Sequence, residues 1–302
     1  MALDNFLMKP KIDFAFKEIM QDEKARIGFL SAVLGINPED IKDSRILNTN
    51  LRKTNKDDKQ GILDVRLLMN DDTEIDIEIN LARMVMWCNR SVFYLSKMYI
   101  EQISPGDHYD VFKKCVSISI LDFDLFPGET EFYSRFHIRE DTRHFLYTDR
   151  MEFHVIELPK LPQELREDSS NLLLWAKFIN AEQKEEFEML AKKNPYIDSA
   201  YRHLQEISQD GEKRMEYEAR QKAIRDYDQG MWEAEERGLA KGRAEGRAEG
   251  RAEGRAEGQA EGARNILLRL LAVMSPEQAA ETLKMPLEEV QRVIGADHQP
   301  SS

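Results

Sequence analysis

Residues 62–81 place acidic side chains where a half-buried hairpin has no ordinary use for them. They read Ile-Leu-Asp-Val-Arg-Leu-Leu-Met, then Asn-Asp-Asp-Thr, then Glu-Ile-Asp-Ile-Glu-Ile-Asn-Leu. The second segment alternates without a break. Ile75, Ile77, Ile79 and Leu81 fall on one face and Glu74, Asp76, Glu78 and Asn80 on the other, as a two-residue repeat requires. In the first segment Asp64 is flanked by Leu63 and Val65 and shares its face with Ile62, Arg66 and Leu68. A three-residue loop, Asn70-Asp71-Asp72, pairs Met69 with Thr73 and sets Asp64 opposite Glu78. A two-residue loop sets Asp64 opposite Ile79 instead. Directly opposed residues have Cβ atoms about 4.5–5.5 Å apart, and two carboxylates that close repel unless a cation lies between them. A divalent metal is the natural cation.

Helices and strands must surround this hairpin. Between 9 and 36 the apolar residues Phe14, Phe16, Ile19, Met20, Ile27, Phe29, Leu30, Val33 and Leu34 recur at helical spacing, and Gly35 stops the run. One or two helices therefore precede the hairpin. A polar, lysine-rich stretch follows at 40–60, with an extended patch near Ile46. After the hairpin, 83–103 has helical character and ends at Pro105-Gly106. Strands are expected at 115–121, where Val116, Ile118 and Ile120 alternate with Ser117 and Ser119, and again at 131–138 and 151–158.

Composition narrows the chemistry. A chain of 302 residues with 41% hydrophobic content can bury a full core. A net charge of −13 argues against a general nucleic-acid coat, so any DNA contact must be local. Cys88 and Cys115 have no metal-type spacing, and neither do His108, His137, His144 and His154, which are read as structural. A disulfide framework is not expected, and a reducing, cytoplasmic location fits. No long apolar run is present, so neither a membrane span nor a signal peptide is expected.

From Asn171 onward the pattern is helical almost throughout. One helix is expected around Trp175, Phe178 and Ile179, another at 196–207, and a charged one at 212–236. Then glycine recurs every fourth residue from Gly238 to Gly262, across four Arg-Ala-Glu-Gly units. This period stacks Arg243 over Arg247 and Glu245 over Glu249, which destabilises an isolated helix slightly, and each interior Gly costs up to about 1 kcal/mol relative to Ala. The tract is either a loosely helical spacer or a self-associating rod. Three short helices with a capping signal at Ser275 close the chain. Their pattern resembles a helix-turn-helix unit, but their low basic content fits an interaction bundle at least as well.

Taken together, Lys11-Ile-Asp-Phe-Ala-Phe-Lys17, the Asp64 strand, Asp76-Ile-Glu-Ile-Asn80, Arg90-Ser-Val-Phe-Tyr94 and the tail repeat resemble the PD-(D/E)XK nuclease family transposases. The likeness covers about residues 8–160 well and the tail loosely. It implies an α/β fold, a restriction-endonuclease-like mixed sheet flanked by helices, followed by a helical C-terminal region. It also implies hydrolysis of DNA phosphodiesters with Mg²⁺. The implied layout is a nuclease-like domain at 1–165, a helical region at 166–237, the repeat connector at 238–262 and a small bundle at 263–298.

On the matching positions the resemblance implies that Asp64 and Glu78 hold the metal, with the carbonyl of Ile79 as a further ligand. Two carboxylates suit Mg²⁺, which keeps water and substrate phosphate in its remaining positions. Asn80 stands where the general motif has Lys and relatives often carry Gln. An amide can orient water but brings no charge and no base. Lys17 is a candidate replacement cation, and Asp13 a further acid; being four residues apart, the two also suit a plain surface ion pair. Asp76 shares the acidic face without matching a motif position. Arg83, Arg90, Tyr94 and Lys97 read as one helical stripe that faces DNA phosphates. Two functions follow: a Mg²⁺-dependent DNA endonuclease that promotes recombination or mobile-element activity, or a weak or inactive relative that binds DNA or forms homo-oligomers through its C-terminal helices.

Overall fold

The computed structural model describes residues 6–51 and 63–297; Ile62 and the lysine-rich residues 52–60 lie outside them. The first compact unit, Met1–Asp226, is built on a six-stranded mixed sheet, and the second is Tyr227–Ser302. In chain order the sheet comprises β1 (Ser44–Leu47), β2 (Val65–Met69), β3 (Glu74–Asn80), β4 (Cys115–Leu121), β5 (Tyr133–Arg139) and β6 (Leu146–Glu157). In space the order is β1-β2-β3-β4-β6-β5. Strands β3, β4 and β6 run parallel in the middle, and antiparallel neighbours flank them.

Helices cover both faces of the sheet, so every residue of β4 is buried. On one side Ile75, Ile77, Ile79, Val116, Ile118 and Ile120 pack with α1 (Asp13–Ile19), α2 (Glu23–Leu34), α4 (Asn171–Asn180), α5 (Lys184–Lys193) and α6 (Pro195–Gln209) in the main core. Helix α2 starts at Asp22, whose side chain accepts from the Ala25 N–H, and stops at Gly35 with φ +70°. The buried Arg26 ties α2 to β1 through the hydroxyl and carbonyl of Ser44.

On the other side lies α3 (Trp87–Ile100), the crossover between parallel strands β3 and β4. Its Tyr94, Leu95 and Met98 pack with Leu63 and Cys115, while Trp87 packs with Leu121, Phe123 and Val155. The helix starts four residues later than its sequence pattern reaches. Arg83 therefore lies in the loop before α3, exposed, and does not share a helical stripe with Arg90, Tyr94 and Lys97.

Helix α7 (Gly211–Leu271) is continuous through the Arg-Ala-Glu-Gly repeat. Within the repeat Arg and Glu alternate at two-residue intervals, so the units offer no i,i+3 or i,i+4 pairing between opposite charges. The helix persists because no proline interrupts it, and extending a helix avoids a second costly nucleation. In the second unit, Leu267 near the end of α7 packs with Ala279 and Ala280 of α8 (Pro276–Leu283) and Val290 of α9 (Leu287–Asp297). Ser275 and Gln278 form the capping box of α8.

Candidate functional site

Turn length sets the register of the acids. The Met69 N–H donates to the Thr73 carbonyl at 2.9 Å, which leaves Asn70, Asp71 and Asp72 as the loop, and Asp72 adopts φ +63°. Leu68 then pairs with Glu74, Arg66 with Asp76 and Val65 with Ile77. One step further along the same register, Asp64 comes opposite Glu78, just before β2 begins. Two hydrogen bonds clamp them: the Asp64 N–H donates to Glu78 Oε1 at 2.9 Å, and the Ile79 N–H donates to Asp64 Oδ2 at 3.1 Å.

Each remaining oxygen meets a cation. Lys17 Nζ of α1 lies 3.3 Å from Asp64 Oδ1, and Arg90 Nη2 of α3 lies 3.3 Å from Glu78 Oε2. The structure thus turns Lys17 toward Asp64, while Asp13 pairs with Arg220 of α7 at 2.7 Å. Arg90 also lies over the rings of Trp87 and Tyr94, 5.7 and 4.9 Å from their centroids. Lys97 faces the Phe93 ring one turn further along. Asn80, half-buried at the end of β3, donates its side-chain amide to the Ala82 carbonyl at 3.0 Å.

Burial governs the acids' protonation. It pushes the Asp64 carboxyl above its ordinary value, against the pull of Lys17 and the Ile79 N–H. Glu78 rises to about 7, through burial first and the neighbouring Asp64 second, with Arg90 opposing. Asp76 is fully buried, and neither of its carboxylate oxygens has a partner among the described residues. Its carboxyl is raised well above the ordinary range by burial, then by Glu78 and Asp64. The parallel register sets Ser117 beside Asp76 and Ser119 beside Glu78. Ser119 is held by the Trp87 indole N–H at 3.0 Å, whereas the buried Ser117 hydroxyl has no partner among the described residues. These small residues leave room for the acids under α3.

This donor set fits a hard divalent cation. Carboxylates are acceptors with about four lone-pair directions each, so the two N–H bonds can orient Asp64 and Glu78 while other lone pairs bind metal. Among the described residues no group of three or more His, Cys, Asp or Glu side chains could hold an ion. A pair is what Mg²⁺ typically takes from protein, with water and phosphate completing its shell.

Sequence reasoning missed Arg220, whose partner Asp13 is more than two hundred residues away, and Trp87 and Ser117, whose places depend on strand order. The alternation of Ser117 and Ser119 was visible, but nothing local put them beside Asp76 and Glu78.

Neither curated proteins nor solved structures gave a match to the chain. The sequence model described as PD-(D/E)XK nuclease family transposase matches residues 10–234, which takes in the whole sheet, the acid pair and the helices through the first part of α7. With most of its length so matched, the chain belongs to the PD-(D/E)XK nuclease family transposases.

Proposed function

We propose that this chain is a Mg²⁺-dependent DNA endonuclease that hydrolyses phosphodiester bonds and promotes recombination or mobile-element activity. The observation that carries the reading is the clamped pair of buried carboxylates, Asp64 and Glu78, each facing a cation from a different helix. Asp64 and Glu78 would hold a divalent ion there, with the Ile79 carbonyl at the same end of β3 as a further ligand, and such an ion would supply Lewis-acid polarisation of the scissile phosphate and activation of the attacking water. Lys17 and Arg90 are placed to neutralise the phosphate charge as it develops. The local balance supports this role: the two acids and two cations cancel, so the site does not share the chain's net charge of −13. Tyr94 sets the position of Arg90, and Lys97, on the same helix, extends the phosphate-facing side of the site. Asn80 orients water.

DNA is the proposed partner, and the cytoplasm the proposed location, in keeping with two free cysteines. Among the described residues no helix is long and apolar enough to cross a membrane. Exposed Met231, Trp232 and Leu239 on α7 support self-association through the C-terminal helices.

The test is cleavage of supercoiled plasmid. Nicking or linearisation should require Mg²⁺, stop with EDTA and vanish in Asp64→Ala and Glu78→Ala. Undiminished cleavage by both variants would contradict the site. Asn80 favours a second reading, a catalytically weak nuclease fold that binds DNA or oligomerises, because its amide carries no charge and spends a donor on Ala82. A wild-type chain that binds Mg²⁺ without cutting, and an Asn80→Lys variant that stays silent too, would favour that second reading.

A further inference from the structure

Arg220 reaches the site from the far end of the matched region. Its helix is fixed there: Tyr217, one turn earlier on α7, is fully buried, and its hydroxyl accepts from the Lys9 N–H at 3.0 Å and from Gln221 at 2.9 Å. Arg220 Nε bonds Asp13 at 2.7 Å. The terminal nitrogens Nη1 and Nη2 have no hydrogen bond among the described residues, and the side chain is 52% exposed. This leaves half of a rigid guanidinium fork facing solvent, the geometry that grips a phosphate with two parallel hydrogen bonds.

Helix α1 acts as a ruler between this fork and the acid pair. Asp13 and Lys17 are four residues apart, with Cβ atoms roughly 5–6 Å from each other on one helix face. Asp13 holds Arg220 and Lys17 holds Asp64, so the two contacts spring from points one helical turn apart on the same face of α1. That is the scale on which neighbouring phosphates follow one another along a strand. The Arg220 guanidinium also feels the Asp64 charge.

We propose that Arg220 is a substrate contact, binding the DNA phosphate next to the scissile one on the α1 side of the Asp64–Glu78 pair. The proposal rests on the nuclease reading above. It gives Asp13 a purpose other than metal binding: the carboxylate takes Nε and thereby presents the two terminal nitrogens outward. It also assigns the start of α7 to DNA binding, with Arg90 on α3 serving the opposite side of the site.

The experiment measures binding of a short DNA duplex to the full chain in Ca²⁺, as a non-cleaving metal, across a range of salt concentrations. Arg220→Gln should raise Kd about tenfold and lower the slope of log K against log salt by about one, the loss of a single phosphate contact. Arg220→Lys should keep the slope, since it keeps the charge, while losing part of the affinity. Arg225→Gln, the same charge change at an exposed position on the same helix, should leave the slope unchanged. Arg220→Gln should still bind metal by calorimetry and melt in a single cooperative transition, which separates lost contact from lost fold. Wild-type binding with an unchanged slope in Arg220→Gln overturns the proposal alone. A wild-type chain that does not bind duplex overturns the nuclease reading and this proposal with it.

Discussion

Asp64 and Glu78 exchange their bonds through the backbone: the N–H of Asp64 donates to the Glu78 carboxylate, and the N–H that follows Glu78, at Ile79, donates back to the Asp64 carboxylate. The two acids repel, yet neither can swing away without breaking a hydrogen bond to the other's strand. Charge-assisted bonds of this kind are worth about 1.5–3 kcal/mol each. The clamp keeps a repulsive pair assembled, and a repulsive pair of buried carboxylates is what a divalent cation relieves.

The pH dependence of metal binding follows from Glu78. Its carboxyl ordinarily titrates near 4.5 and is raised to about 7, so the folded chain holds its proton more tightly than the unfolded one. The stability this contributes is complete below about 4.5 and is lost as pH rises through 7. Metal needs the carboxylate, so affinity should climb about tenfold per pH unit up to 7 and then level off. Calorimetric titration of Mg²⁺ between pH 5 and 8.5 checks this. A flat profile between 5 and 7 would contradict it.

Asp76 carries an expectation of the same sign for stability. Its carboxylate is buried without a partner among the described residues and its protonation is raised, so ionising it costs the fold more as pH increases. Asp76→Asn removes that charge at nearly constant volume. The expected result at pH 8 is a gain of roughly 1 kcal/mol or more, on the order of 2–4 °C in melting temperature, shrinking toward pH 5. A loss of stability at pH 8 would show that the carboxylate does necessary work in the fold.

Part of the hairpin was legible in the sequence. Strict alternation set the faces of β3, but loops of two and three residues were both open, and it is the folded Met69–Thr73 bond that sets Asp64 opposite Glu78 rather than Ile79. The strand at 115–121 was legible by the same alternation and matches β4 residue for residue. Arg83 was misplaced because residues 81–86 contain no Pro or Gly to mark where α3 starts. The ion pairs were harder to read. Local spacing pairs Asp13 with Lys17, but folding brings Asp64 to Lys17 and Arg220 to Asp13, and each new partner is remote in sequence. The unpartnered state of Asp76 depended on knowing that α3 covers its face.

Gly28 tests the packing that supports α1 and α2. A Cβ at this position would lie 2.2 Å from Cβ and 2.5 Å from Cγ of Tyr196, so α2 and α6 could not keep their spacing. In an open helix position Gly→Ala gains up to about 1 kcal/mol; here overpacking should cost about 1–3 kcal/mol. Chemical denaturation of Gly28→Ala should show a loss. A gain would mean that the two helices are not in such close contact.

The most direct measurement is Mg²⁺ binding by calorimetry to wild type and to the Asp64→Asn/Glu78→Gln double variant, with melting curves to show that both are folded. Wild type should bind through the acid pair, and the double variant, which keeps the shape of both side chains but neither charge, should show no measurable binding. A folded double variant that binds Mg²⁺ as tightly as wild type would contradict the assignment of Asp64 and Glu78 as the metal site.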